Sequence, residues 1–509
     1  MTTEPTTAAG DRKRWIALAV LLTATLLDLL DATIVNIALP TIQFDLNTSF
    51  ASVQWIAAGY TLAFAVGLIT GGRLGDIVGR KRVFLWSMAA FTAASALSGL
   101  AVDAEVLIGA RVLQGLAAAL MIPQVLSIMH VSFAPEEAGK VFGIFGAVCG
   151  IGAVSGPILG ALLTELDLFG LSWRPIFLIN LPIGLAALYL GKRFIGESSA
   201  PDKPRLDLGG VGLAAAALLL LLVPLTVGRE LGWPVWAFAL IAGSLVLGLV
   251  FVLQQRHRTR TVGSPVVELS LFRVRSFAAG ILTQLVFGIT FGLFSLCGAL
   301  YMQLGLGWSP LRTALTSLLF GVAMSATAIF GIQKLVPKFG TRVLQGGAVL
   351  MTIGLVVYSV FAGALGTQAE WWQLALPLIL TGAGIGFIMA PLTQTIMSEV
   401  PMQHAGSASG LINTTNQVGL SVGIALNALA FFAVVDAETG GVVDLATGQP
   451  VVTAFTSALW WVIGGAVLVF VLLFALPKKP PNPFAAPNDG DGQPAPVTES
   501  EQEDAVAAR

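Results

Sequence analysis

Charge is what this chain has least of. Only 11% of its 509 residues are Asp, Glu, Lys or Arg, against about 25% in a soluble domain, and 56% are hydrophobic. A globule of that composition would expose far too much apolar surface to water. Cysteine is nearly missing too. Cys149 and Cys297 are the only two, and both fall inside apolar runs, which excludes a disulfide framework and a Cys-based metal site. The three histidines, His130, His257 and His404, have no partner at metal-ligand spacing, so no metal is expected. The phosphate-cradling pattern G-x-x-x-x-G-K-[ST] is absent, so ATP drives nothing here and no cofactor is expected. A net charge of −1 argues against a nucleic-acid partner. No catalytic constellation is visible, which argues against an enzyme.

What the chain does have is apolar runs of about 20 residues, long enough to cross a bilayer core of about 30 Å. They fall at 15–39, 52–72, 83–102, 105–129, 140–164, 174–191, 208–227, 233–253, 276–300, 311–333, 343–364, 371–397, 405–433 and 453–476. The expected class is an all-α membrane protein of about fourteen transmembrane helices. The first run is too long for a signal peptide, contains Asp28 and Asp31, and has no small-residue cleavage site.

Alternate connections concentrate basic residues: Arg73 with Arg80, Lys81 and Arg82; Lys140; Lys192, Arg193, Lys203 and Arg205; Arg256 to Arg275; Lys334, Lys338 and Arg342; Lys478 and Lys479. The intervening ones carry Asp45, Asp103, Glu165, Asp167, Glu370, Asp436, Glu438 and Asp444. The positive-inside rule places both termini in the cytoplasm, which requires an even number of spans. Trp55, Trp173, Trp233, Trp236, Trp308, Trp371 and Trp372 are expected at the outer interface, Trp15 and Trp86 at the inner one.

The expected organisation is a cytoplasmic segment at 1–14, a six-helix half at 15–200, two inserted helices at 201–260, a second six-helix half at 261–477 and a disordered cytoplasmic tail at 478–509, rich in Pro, Asp, Glu and Gln. The stretch Gln333 to Arg342 echoes the earlier basic loop, with Gly340 and Arg342 where Gly79 and Lys81 stand. Two such halves enclose a midplane site in many transporters. The inserted pair has no charge within its runs and is expected to face lipid. The 437–452 connection is expected to form a short external hairpin.

Asp28 and Asp31 sit within the first span. An acid at that depth is costly and usually faces a cavity. The i, i+3 spacing puts both on one helix face, and two carboxylates so close resist simultaneous ionisation. That is the property proton coupling needs; either residue could be the main carrier. The alternative for each is an acid tied to a neighbouring helix for packing. Arg111 lies about 20 Å above the inner face at 1.5 Å per residue, the depth of the acids. It is expected to hold one carboxylate ionised when close and to let it take a proton when the halves rock apart. The alternative is a static salt bridge.

Gly152, Gly156 and Gly160 form small-xxx-small steps in the fifth span, allowing close helix contact, and Pro157 bends the helix. Such a helix suits a moving interface between halves; ordinary tight packing is the alternative. In the loop Gly72 to Arg82, Asp76 is the one acid among bases, placed to pair with Arg80 or Arg82 and latch the cytoplasmic side. The second half has almost no acids in its spans, Glu399 standing only at the cytoplasmic edge. Asn413, Asn416 and Gln417 share a face there and are candidate cavity-lining groups, with interhelical hydrogen bonding as the alternative.

These motifs together resemble the fourteen-span drug:proton antiporter branch of the major facilitator superfamily. Leu30 to Pro40 resembles its first-helix motif and Gly72 to Arg82, with Gly72, Asp76, Gly79, Arg80 and Arg82, its signature loop. Arg111 with Gln114-Gly115 resembles the fourth-helix motif, Gly152 to Gly160 the antiporter motif, and Trp173 to Pro182 a further branch segment. The resemblance implies Asp31 as the membrane acid and Arg111 as the coupling arginine. It implies a proton-driven exporter of lipophilic drugs or secondary metabolites in a bacterial cytoplasmic membrane, acting as a monomer among lipid, with protons and a lipophilic small molecule as partners. A lipid or siderophore-type exporter, or a symporter, is the alternative. The absence of deep acids in the second half disfavours dicationic passengers.

Overall fold

The structure is a computed structural model and describes residues 8–48, 50–166, 170–199, 207–228, 231–261, 265–401, 404–439 and 448–477. The tail at 478–509, Lys203, Arg205 and residues 440–447 of the 437–452 connection lie outside the described residues. Among the described residues the chain is helical throughout, with no strand.

The first half comprises α1 (Ala8–Asp45), α2 (Phe50–Val78), α3 (Arg80–Gly99), α4 (Ala104–Ser132), α5 (Pro135–Glu165), the short α6 (Pro175–Leu178) and α7 (Asn180–Phe194). Within the segment at 1–14 that is expected to be cytoplasmic, the chain is helical from Ala8 and continuous with the first span. The inserted pair is α8 (Leu208–Val227) and α9 (Val235–Thr261). The rest comprises α10 (Arg275–Leu300), α11 (Pro310–Phe330), α12 (Val336–Phe339), α13 (Arg342–Leu365), α14 (Trp371–Ser398), α15 (Ala405–Asn427), α16 (Ala433–Thr439) and α17 (Gln449–Leu472).

Among the described residues, eleven helices are long and apolar enough to cross a membrane, and thirteen when two bent helices each count as one crossing. The bends lie in α2, 50° between Leu68 and Thr70, and in α5, 42° between Gly152 and Ser155. The expected count of fourteen exceeds this by α3. That helix opens on Arg80-Lys81-Arg82 and carries serine and threonine along its length, so its apolar stretch is the weakest in the chain.

Caps and glycines set the helix boundaries. The Asp103 carboxylate accepts from Val106 N–H at 2.8 Å, and Ser309 Oγ from Arg312 N–H at 3.2 Å, satisfying donors that open helix ends leave free. Gly79 (φ 115°) turns the chain from α2 into α3, and Gly340 (φ 59°) turns it from α12 into α13. Both angles suit glycine, so the two basic loops share a backbone device as well as a sequence pattern.

One apolar core joins α1 to α5 and α7; another joins α10, α11, α13, α14, α15 and α17. The pair α8–α9 packs on itself and against α2 and α15, where the two cores meet. Asp207 caps α8 through Gly210 N–H (2.9 Å) and accepts from Gln254 (3.0 Å) and Gln255 (2.9 Å) on α9. Gln255 in turn accepts from Val266 N–H at 2.7 Å, and Ser407 on α15 donates to Val266 C=O at 3.2 Å. The strand of chain after α9 is thus strapped to the start of α15.

Trp55, Trp236, Trp371 and Trp372 are exposed at helix ends, while Trp173 and Trp308 are buried. Trp173 turns inward to give its indole N–H to Asp45 at 2.9 Å, and Trp308 lies under the Arg312 guanidinium, 4.3 Å from its ring centre. Among the described residues at this end, Arg174 pairs with Asp45 at 2.8 Å and Arg312 with Glu370 at 2.6 Å.

Candidate functional site

The centre of the first half holds a dry polar cluster. Asp31 is 1% exposed and Arg111 1%, and the two form a salt bridge between α1 and α4. Lone charges do not survive such burial; a hydrogen-bonded pair does. The other carboxylate oxygen of Asp31 accepts from Gln114 at 2.9 Å and from Asn180 on α7 at 3.0 Å. Gln114 and Asn180 both also donate to Ser95 on α3, at 3.2 and 2.8 Å. Arg111 reaches Gln114 at 2.8 Å and the Ile56 carbonyl at 3.4 Å. Every element from α1 to α7 except α5 supplies at least one member, α6 through Phe177, whose carbonyl accepts from Ser95 at 3.0 Å and whose ring centre lies 5.6 Å from the Arg111 guanidinium.

Asp28 does not share the salt bridge. Tyr60 on α2 donates to it at 2.6 Å, and the Arg111 guanidinium sits 4.3 Å from the Tyr60 ring centre. One tyrosine therefore touches both charges: its hydroxyl serves the Asp28 carboxylate and its ring face serves the arginine, a cation–π contact. The two acids on one face of α1 are joined through a neighbouring helix rather than directly.

The basic end is a seam between the halves. Gly72 on α2 lies so close to α15 that an added Cβ would stand 2.2 Å from the Gly406 carbonyl oxygen and 3.1 Å from Gly410 Cα. Asp76, one turn on, pairs with Arg80 at 2.8 Å, both buried, and its carboxylate lies against Gly406. Arg82 pairs instead with Glu197 at 3.6 Å and is exposed. Beside this contact Ser127 on α4 meets Ser409 at 2.9 Å, Ser409 donates to the Pro123 carbonyl at 3.0 Å, and His130 reaches the Val400 carbonyl at 3.4 Å.

The helix α5 presents glycines to two sides. Gly139, Gly143, Gly146 and Gly150 meet α11, α14 and the turn after α11; a Cβ on Gly146 would lie 2.7 Å from that of Ala390. Gly152 and Gly156 face the other way, onto Leu29, Leu30 and Thr33 of α1. The glycines that touch the opposite half thus all precede the sequence motif, Gly150 by about half a turn and the others by more. The bend falls just before Pro157, as a missing backbone bond dictates.

In the second half, Asn416 accepts from Gln284 at 3.0 Å, and Asn413 donates to the Ser409 carbonyl of its own helix at 2.8 Å. Gln417 is half-buried. Glu399 receives a hydrogen bond from Ser276. Tyr60, Ser95 and Asn180 are the members of the buried cluster that reading the sequence passed over as ligands of the acids. Ser95 is one of several hydroxyls along α3 and Tyr60 has Thr61 beside it, so nothing local singled them out.

A cavity of about 220 Å³ lies in the end of the bundle away from the basic loops. It is lined by the last turns of α10, the first turns of α11, and by Pro157, Tyr358 and Leu378.

Comparison with known proteins places this geometry. The family model described as Major Facilitator Superfamily matches residues 21–424. The chain is 42% identical over 442 residues to a probable actinorhodin transporter of Streptomyces coelicolor, covering 86% of this chain and 76% of that protein. It is 35% identical to the puromycin resistance protein pur8 of Streptomyces alboniger, covering 92% of both. It is 33% identical to a tetracenomycin C resistance and export protein of Streptomyces glaucescens, covering 83% and 77%. Among solved structures, the proton:xylose symporter XylE superposes with a TM-score of 0.62 at 14% identity, covering 91% of this chain and 96% of that one. The human organic anion transporter MFSD10 gives 0.60 at 14%, covering 90% and 99%. These two share the fold. The chain belongs to the major facilitator superfamily, and its relatives named for resistance and export are those expected of the drug:proton antiporter branch.

Proposed function

We propose that this superfamily member is a proton-coupled antiporter, exporting lipophilic drugs or secondary metabolites across the bacterial cytoplasmic membrane by alternating access. The observation that carries the reading is the buried Asp31–Arg111 pair, linked through Tyr60 to Asp28, in one half of the bundle. The relatives' printed names supply the direction, resistance and export. Counting α3 as a crossing gives fourteen, with six spans, the α8–α9 pair and six more; both termini then share the cytoplasmic face with the basic loops. The carrier works as a monomer with no cofactor, and the proton gradient is its energy source.

On this reading the structure is the outward-facing state. Gly72, Asp76, Gly79, Arg80 and Arg82 close the cytoplasmic side against α15. A proton arriving from outside neutralises Asp28 or Asp31, weakens the hold on Arg111 and permits the return. Passenger binding from the cytoplasm reverses the sequence. Gly152, Gly156, Pro157 and Gly160 let α5 follow α1 as it moves, and Asn413, Asn416 and Gln417 face the path from the second half.

The test is drug accumulation in cells expressing wild type or Asp31→Asn, with and without a proton uncoupler, joined to the sign of the substrate-driven pH change in proteoliposomes. Export by wild type that collapses with the uncoupler, and its loss in the variant, is the expected result. Vesicles that expel the passenger equally well with the gradient collapsed and both acids made amides sink the proposal.

A further inference from the structure

The cavity in the second half differs chemically from the buried cluster in the first. Among the described residues, none that lines it carries a charge. Phe291, Phe294 and Phe320 contribute aromatic walls, and beside Ser295, Gln303 and Ser317 the polar lining includes the hydroxyl-bearing Tyr358 and Thr313. Both hydroxyl oxygens are buried with no hydrogen-bond partner among the described residues, and the two residues are 0% and 6% exposed.

Buried polar groups normally have a partner, and an orphaned one calls for an explanation. Fold stability does not supply one, since a lone buried hydroxyl costs free energy. Tyr358 is moreover held rigidly. Its ring packs on Phe455 (centroids 5.0 Å), Tyr301 (6.1 Å) and Phe294 (6.5 Å), so its hydroxyl is pre-positioned rather than free to turn away.

We infer that this cavity is a passenger subsite selective for an uncharged aromatic ring system bearing carbonyl or phenol oxygens, which Tyr358 and Thr313 recognise by hydrogen bonding. The inference rests on the export reading for its biological meaning, though the binding itself does not. Three features fit that chemistry. The phenylalanine walls favour an aromatic ring, which gains offset or edge-to-face contacts there. Both hydroxyls can donate to carbonyl oxygens. The lining offers no carboxylate to a cation, whose desolvation would go uncompensated. At about 220 Å³, the space is below the ~300–1,000 Å³ of whole-ligand pockets, so it seats one ring system and leaves the remainder of a larger passenger in the path between the halves.

Two three-ring probes of matched shape test this on the purified full-length protein without any gradient: neutral 1,8-dihydroxyanthraquinone and cationic proflavine. Wild type is expected to bind the anthraquinone more tightly. Tyr358→Phe and Thr313→Val should each weaken that binding about fivefold to tenfold, the loss of one hydrogen bond, and leave proflavine unchanged. Because the Tyr358 hydroxyl has no partner, Tyr358→Phe should match or exceed wild type in unliganded thermal stability. Ala314→Phe, which fills the cavity, should abolish anthraquinone binding. Anthraquinone affinities within twofold of wild type in all three variants, equal affinity for the two probes, or a destabilised Tyr358→Phe would each overturn the inference. Hydroxyl-dependent binding in a protein that moves nothing down a pH gradient would uphold the subsite while removing the export reading. Proton-driven export with hydroxyl-independent binding would do the reverse.

Discussion

Breaking the Asp31–Arg111 pair from either side should cost more than removing it whole. Removing one partner of a buried ion pair typically costs about 3–5 kcal/mol, because the survivor is left uncompensated. The contacts make that expectation specific. In Asp31→Asn, the amide oxygen still accepts from Gln114 and Asn180, which stand 2.9 and 3.0 Å from the present carboxylate. What is lost is the counter-charge of a guanidinium that retains Gln114, the backbone carbonyls of Ile56 and position 31 at 3.4 and 3.5 Å, and the rings of Tyr60 and Phe177. In Arg111→Gln, the carboxylate keeps its two amide donors but no cation. The double variant has two neutral amides in place of two charges, and its stability should recover. Each single change is expected to cost about 3–5 kcal/mol and the pair to cost at least ~2 kcal/mol less than their sum, beyond the ~0.5 kcal/mol scatter of independent sites.

The assay is unfolding in mixed micelles across the four proteins of the cycle, with pH-gradient-driven transport measured on the same four in vesicles. Additive costs would refute the structural argument, since they would mean that the two groups do not depend on each other. A recovered fold without proton exchange is the expected functional result. A recovered fold that still exchanges protons for passenger would leave the pair as a static brace.

The seam at the basic end makes a second prediction. Gly72→Val puts a branched side chain where even a Cβ would stand 2.2 Å from the Gly406 carbonyl oxygen, so α2 and α15 cannot close. With Cys149 and Cys297 replaced, Ser409→Cys should react several-fold faster with a water-soluble maleimide when Gly72→Val is added; an unchanged rate would mean the seam is not shut by that contact. At the opposite end, the hydrogen bond from Arg174 holds the Asp45 carboxyl below its ordinary range, Trp173 and the arginine's charge assisting and burial opposing. A depressed folded value means the unfolded chain takes up the proton first as pH falls. The stabilisation is therefore present above the ordinary carboxylate pKa of ~3.9 and fades below it. Asp45→Asn should lower the melting temperature by a constant amount from neutral pH to about pH 5, and the gap should close below ~4. A gap that persists in acid would assign the effect to lost packing.

Helix positions were legible in the sequence because apolar runs bounded by charge have few physical alternatives in so oily a chain. α3 is where that signal thins, its basic start and its hydroxyls weakening the run. The depth argument brought Arg111 level with the acids before any contact was known, and the structure joins it to Asp31. Depth along an axis says nothing about azimuth, however. That Asp28 turns to Tyr60, and that Ser95 and Asn180 converge on Asp31, depends on how four helices rotate against one another. The small-residue rhythm of α5 marked a close-packed helix but not which neighbour each glycine meets, for the same reason. The inward turn of Trp173 and Trp308 likewise follows from partners 128 residues away in one case and four in the other, and only the nearer could be read locally.

The charge and the cavity lie in different halves, so any coupling between them has to pass through contacts, and α5 is the element that makes them. Its middle packs Gly152 and Gly156 against Leu29, Leu30 and Thr33, the stretch of α1 that carries Asp28 and Asp31. Its first turns pack Gly139 to Gly150 against the opposite half, where Ser325 also donates to the Ala147 carbonyl at 3.0 Å. Just beyond the bend, its Pro157 lines the cavity. Glycine contacts this close leave no slack, because packed interfaces respond to displacement by switching rather than yielding. A shift of α1 on protonation is therefore handed to a helix that already touches both the passenger's space and the other half. The segment before the bend meets both sides, the opposite half through Gly139 to Gly150 and α1 through Gly152, the Arg14–Glu137 ion pair and Lys140 over Trp15, while the segment after it carries Gly156 to α1 and Pro157 to the cavity wall.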